Sequence, residues 1–253
     1  MSNFTLSILE LDGNQNEDKI IWNWDCKNKF TDLQIVNHRL FNVLRKVGYK
    51  AAMSVAIALT ELIQQRSKKF FPNIDTTKEF AKKIEALWAG AIDPLYLKTS
   101  DYEWKSYDDN GDSTPYISNW FVLRQMSRKY IKNSFYVHPY LINLSMLARH
   151  LASNKKIFDD WFVETLRKTA LIFPYASSYA HLEFDGTEAR YDYSIDAPVP
   201  REFFFDQQFV YSEEAAKSVL NVFLQSLDYD NNPWLCAPEE MLAKGFKDTP
   251  YEI

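Results

Sequence analysis

Ala51-Ala52-Met53-Ser54-Val55-Ala56-Ile57-Ala58-Leu59 decides the fold: the run is apolar at every position except Ser54. It sits in a segment from Lys50 to Phe71 that turns polar only at Glu61, Gln64, Gln65 and Arg66. A helix that is apolar around its whole circumference is buried around its whole circumference. The segment therefore predicts a central helix that the rest of the chain must enclose.

The flanking sequence supplies the enclosing elements. Upstream, Leu33, Val36, Leu40, Val43, Leu44 and Val47 recur at three- and four-residue spacing, which predicts an amphipathic helix capped by Thr31 or Asp32 and ended by Gly48. Downstream, Thr76 and Glu79 have capping-box spacing, Phe80, Ile84, Leu87 and Trp88 share a face, and Asp93-Pro94 closes the helix. Helical periodicity returns at Ile117 to Ile131, again after His138-Pro139 as far as Leu151, and from about Lys155 to Phe173 before Pro174. Ser212, followed by Glu213 and Glu214, opens a further helix, and Pro238 with Glu239 and Glu240 opens a short last one that stops near Gly245. Short joints between helices place neighbours antiparallel. The expected fold is mainly α, an antiparallel helix bundle or helix-hairpin stack, formed by residues 1–253 as one domain. A small β element is expected near the N-terminus, where Phe4, Leu6 and Ile8 alternate with polar residues before Asp12-Gly13 and Ile20 to Trp24 offers a partner. Residues 175–200 break the helical pattern and read as a hairpin around Asp185-Gly186 or as an irregular acidic arm.

Composition narrows the function classes. With 46% apolar and 25% charged residues the chain is an ordinary globular sequence. A net charge of −5 argues against a nucleic-acid binder, whose affinity comes largely from phosphate neutralisation, and suits a basic partner. No apolar stretch approaches the length of a membrane span, and Met1-Ser2-Asn3-Phe4 does not begin a secretory signal, so a cytoplasmic location without membrane attachment is the expectation. Cys26 and Cys236 read as reduced thiols.

Motifs for catalysis or cofactor binding are not found. The six isolated glycines cannot build a phosphate loop, and no serine lies in a nucleophile elbow. His38, His138, His150 and His181 lack the spacing of a helical zinc site, and neither cysteine has a Cys or His at ligand spacing. His150, late in a helix, reads as structural. Two stretches mimic calcium loops, but Ser113 and Asn119 spoil the count from Asp108, and Pro233 spoils the count from Asp228. No catalytic, cofactor-binding or metal residues are therefore assigned, and the oligomeric state is left open.

Two segments differ from ordinary loops. Asp101, Tyr102, Glu103, Trp104, Tyr107, Asp108, Asp109 and Asp112 lie in the first, and Glu183, Asp185, Glu188, Tyr191 and Asp192 in the second. Aromatic side chains beside so many carboxylates combine the residue types of binding hot spots with a field that steers a basic partner. These residues are the candidate partner-binding set.

The tail from Asn232-Pro233-Trp234-Leu235 to Pro238-Glu239-Glu240-Met241, followed by Gly245-Phe246 and Thr249-Pro250-Tyr251, resembles tails of the immunity proteins of bacterial polymorphic-toxin systems. The resemblance covers the last fifth of the chain and transfers no catalytic residues. It implies a non-enzymatic protein that binds a cognate toxin and occludes its active site. The residues leave two other classes open. One is an enzyme or small-ligand-binding helical protein, with Glu61 at the end of the central apolar run and Trp88 and His138 as pocket neighbours. The other is an adaptor or scaffold.

Overall fold

A computed structural model describes residues 22, 29–32, 37–70, 77–98, 114–132, 134, 137–175, 182–184 and 189–253. The chain is mainly helical. In order it forms α1 (His38–Leu44), α2 (Tyr49–Phe70), α3 (Thr77–Ile92), α4 (Pro115–Ile131), α5 (His138–Leu151), α6 (Lys155–Ile172), β1 (Leu182–Phe184), β2 (Ala189–Tyr191), α7 (Glu202–Phe205), α8 (Glu213–Gln225) and α9 (Pro238–Ala243). Single 3-10 turns occur at Pro94–Tyr96 and Tyr193–Ile195. The expected N-terminal β element lies outside the described residues.

The central helix is present as expected. Every residue from Ala51 to Ile63 of α2 is buried, and α2 packs against α3, α4 and α5, while α1 and α6 pack on α5. Alanines at 51, 52, 56 and 58 let neighbouring backbones approach, and the space is filled from outside by large rings such as Phe80 and Tyr130. Tyr130 also stacks on Tyr49 at 4.9 Å, and the Tyr49 hydroxyl donates to the Tyr130 carbonyl at 3.0 Å. Ser54, the polar exception in the run, donates back to the Lys50 carbonyl at 3.0 Å, so its hydroxyl is satisfied inside the helix.

The helix ends follow local chemistry. Asn154 caps α6, Thr114 caps α4, and Ser212 caps α8 by accepting from the Ala215 N–H at 3.1 Å. One expected start is corrected. Asn37, whose Oδ1 accepts from the Leu40 N–H at 3.1 Å, caps α1, and Asp32 is not helical. Thr31 is itself helical and Asp32 lies well before α1, so neither stands next to its first turn. At the end of α9, Gly245 adopts φ of 92°, its N–H donates to Leu242, and the Phe246 N–H donates to Met241. That is a Schellman ending, with Phe246 and Met241 both buried beneath it.

β1 and β2 pair antiparallel, with Leu182 opposite Tyr191 and Phe184 opposite Ala189, so of the two readings of residues 175–200 the hairpin is the one formed. The chain then returns over the helices. Leu97 bridges Leu235, and the Cys236 N–H donates to the Tyr96 carbonyl at 2.8 Å. No helix among the described residues is long and apolar enough to cross a membrane.

Two packing features give expected outcomes. A Cβ at Gly90 would stand 2.5 Å from Leu97 Cδ1, and Leu97 is itself buried. Alanine in a helix interior gains about 1 kcal/mol over glycine, whereas overpacking costs about 1–3 kcal/mol. Gly90→Ala should therefore lower stability by up to about 2 kcal/mol in a urea titration. His138 is buried and its Nε2 lies 3.1 Å from the Val47 carbonyl, which only accepts, so the ring carries its proton on Nε2. Burial depresses its pKa, with the Val47 bond acting in the opposite sense. The unfolded chain takes up a proton first, so stability is full above about pH 6.5 and falls as the pH drops through that value. Comparing wild type with His138→Asn across pH 5–8 should show the pH slope of the wild type to be the steeper.

Candidate functional site

The predicted partner-binding residues fall in different places. Asp101, Tyr102, Glu103, Trp104, Tyr107, Asp108, Asp109 and Asp112 lie outside the described residues, as do Asp185 and Glu188. Glu183 is the register partner of Arg190 in the hairpin, and Tyr191 ends β2. Asp192 follows directly, and its Oδ1 accepts from the Ser194 N–H at 3.0 Å and from the Ser194 hydroxyl at 2.6 Å.

The second acidic segment is tied to the base of the central helix. Asp196 Oδ2 accepts the Lys50 backbone N–H at 3.1 Å and so caps the first turn of α2 from a distant part of the chain. The adjoining backbone is close-packed: the Gly48 N–H donates to the Phe173 carbonyl at 2.8 Å, and a Cβ on Gly48 would stand 3.1 Å from that oxygen. The Lys50 ammonium is buried here. Burial lowers its pKa, and Asp93, Asp196 and Asp192 pull it back up. Burial in turn pushes the Asp93 carboxyl above its ordinary value, and Tyr175 is pushed up to about 12 by burial and by Asp196. The Asp196 bond holds its segment to the first turn of α2.

Glu61 is a buried carboxylate on α2, and the sequence already places it with Trp88. The structure brings the two together: Trp88 Nε1–H donates to Glu61 Oε1 at 2.6 Å. It adds a residue the sequence did not flag. Arg201 grips both oxygens side-on, with Nη2 2.7 Å from Oε2 and Nε 3.0 Å from Oε1. Its guanidinium lies 4.7 Å over the Phe205 ring, and Phe204 packs at 5.9 Å from Trp88. Burial lowers the Arg201 pKa, but the bonds and charge of Glu61 outweigh it, so the guanidinium stays cationic. His138, the other expected pocket neighbour, is instead engaged with Val47. With both carboxylate oxygens committed, Glu61 is built as the fixed half of a clamp between α2 and α7 rather than as a proton carrier.

The calcium-like stretch beginning at Asp228 is a turn. The Asn231 Nδ2–H donates to Asp228 Oδ2 at 2.9 Å, Asn232 Oδ1 accepts from the Trp234 N–H at 3.1 Å, and Asn232 Nδ2–H donates to the Lys82 carbonyl at 2.8 Å. These bonds turn the chain and dock it on α3, where the Trp234 ring covers the Lys83 ammonium at 4.8 Å. Among the described residues no group of three or more His, Cys, Asp and Glu side chains could hold a metal ion. Residues 201–253 hold ten carboxylates and four cationic side chains, more than the whole net charge of −5.

Removing one member of the clamp should be costly. Arg201→Ala leaves a buried carboxylate with Trp88 alone; since the Arg201 side chain keeps 28% of its exposure, the expected loss is about 2–4 kcal/mol, the lower part of the range for broken buried pairs. Arg201→Ala combined with Glu61→Leu should cost less than the sum of the single changes in a double-mutant cycle of unfolding free energies.

In comparisons with known proteins, no family model, no curated protein and no solved structure matches this chain.

Proposed function

We propose that this chain is a non-enzymatic binding protein, an immunity protein that neutralises a cognate cytosol-acting bacterial toxin by occluding its active site. The observation that carries the proposal is the concentration of carboxylates beside Tyr102, Trp104 and Tyr107 in residues 101–112. Aromatic anchors supply contact area at low entropic cost, and a surrounding negative field speeds encounter with a basic surface and rejects acidic ones. The carboxylates of residues 201–253 extend the same sign of charge over the end of the chain. A toxin that acts on an anionic substrate holds it with basic groups, which is the chemistry such a surface opposes. In this reading the helices form the scaffold, an antiparallel bundle or helix-hairpin stack, and the protein works in the bacterial cytoplasm.

The competing reading, an enzyme or small-ligand binder centred on Glu61, has less support. Its carboxylate is held by Arg201 and Trp88, which leaves no oxygen poised for substrate.

The proposal is tested by recovering the tagged protein from its native cells at low and at high salt and identifying what accompanies it by mass spectrometry. The expected result is one toxin-like polypeptide in stoichiometric amount. Reversal of Asp101, Glu103, Asp108 and Asp109 to lysine should weaken the isolated complex at least about tenfold at low salt, with a smaller effect at high salt. Recovery of the protein alone, or a complex indifferent to both salt and charge reversal, would count against it.

A further inference from the structure

Cys236 and Lys244 form a pair that neither the fold nor the proposed binding function uses. Lys244 Nζ lies 3.0 Å from Cys236 Sγ and 3.1 Å from the Leu97 carbonyl. Both backbones are fixed. The Cys236 N–H donates to the Tyr96 carbonyl at 2.8 Å, and its carbonyl accepts from the Tyr251 hydroxyl at 2.6 Å. Lys244 is the C-cap of α9, immediately before Gly245. A thiol and a primary amine are thus held in contact. The thiol is buried, whereas Lys244 is an exposed residue.

We propose that Cys236 and Lys244 are an oxidative cross-linking site, at which hydrogen peroxide converts the pair into a covalent sulfur–nitrogen bridge. In the first step the sulfur attacks one peroxide oxygen, the O–O bond breaks, and the departing hydroxide takes the thiol proton and leaves as water. Cys236 is now a sulfenic acid. In the second step Lys244 Nζ, having given one ammonium proton to solvent, attacks the sulfur. The S–O bond breaks, and the hydroxide leaves as water with a proton from the nitrogen. Sulfur loses two electrons overall, and the peroxide is reduced to two waters. A sulfenic acid condenses with a backbone nitrogen in the same way, and a thiol reverses the product. Here the nitrogen is a side-chain amine that the fold has already placed. The bridge ties the segment that crosses Leu97 to the end of α9.

The test uses the full chain, oxidised with hydrogen peroxide under native conditions and digested with a protease that cuts after glutamate. Glu239 and Glu240 lie between the two residues, so Cys236 and Lys244 leave in separate peptides unless they are bridged. The expected product is the joined pair, about 2 Da lighter than the sum of its reduced parts, and separated again by dithiothreitol. Lys244→Arg keeps the charge and should give no joined pair, with Cys236 then captured as sulfenic acid by a dimedone probe. The proposal is overturned if Cys236 of the wild type stays reduced while Cys26 is oxidised. It is equally overturned if Cys236 reaches sulfinic acid with Lys244 free, at the same rate as in Lys244→Arg.

Discussion

A helix buried at every position from Ala51 to Ile63 imposes a condition on what surrounds it: its buried polar atoms need partners inside the protein, and among its described side chains Ser67 Oγ is left without one. In α2 the backbone satisfies itself, and Ser54 turns back onto Lys50. Thr60 donates to Asn119 of α4 at 3.1 Å, and Arg66 donates to the Leu151 carbonyl at the end of α5 at 2.9 Å. Glu61 is the residue that cannot be satisfied by a neighbouring helix alone. A carboxylate at this depth needs a cation, and the cation comes from Arg201 beyond the hairpin. The path of the chain after α6 follows from that need.

The last quarter of the molecule docks through directional contacts as well as through burial. Asp196 caps α2, Arg201 clamps Glu61, Trp161 Nε1–H reaches the Phe204 carbonyl at 3.4 Å, and Asn232 pairs with Lys82. Apolar contact accompanies these bonds, as in the Phe173, Phe203 and Tyr211 ring cluster and the Tyr96 contacts with Phe246 and Tyr251. Hydrophobic burial is indifferent to register, whereas a carboxylate cap or a side-on guanidinium fits only one placement. The polar contacts therefore choose where an apolar segment lies, and the rings supply most of the stabilisation once it lies there.

That division explains what could be read from the sequence. The all-round apolar run from Ala51 to Leu59 and the three- and four-residue spacing of the α3 to α6 residues are local signals, and the helices they predict are present. Ser212, Pro238 and Gly245 mark helix ends because their effects span only a few residues. The start of α1 differs from the expected cap at Thr31 or Asp32 because Asn37, with the same capping chemistry, stands next to its first turn. The short α7 went unread because Phe203, Phe204 and Phe205 in succession carry neither a helical nor a strand period.

The site was legible only in part for the same reason. Burial of Glu61 within an apolar segment signals that a partner exists, and Trp88 lies on a face that the helical pattern turns inward. Arg201 is 140 residues from Glu61 and follows a proline in an irregular stretch, so no spacing rule connects them. Asp196 lies in the segment read as a hairpin or an irregular acidic arm, yet its oxygen accepts the Lys50 N–H and holds the segment to the base of the central helix. Carboxylates in an acidic segment thus divide into those that secure it and those left to act on something else. Asp196 belongs to the first group, because its oxygen completes a helix terminus that would otherwise be bare.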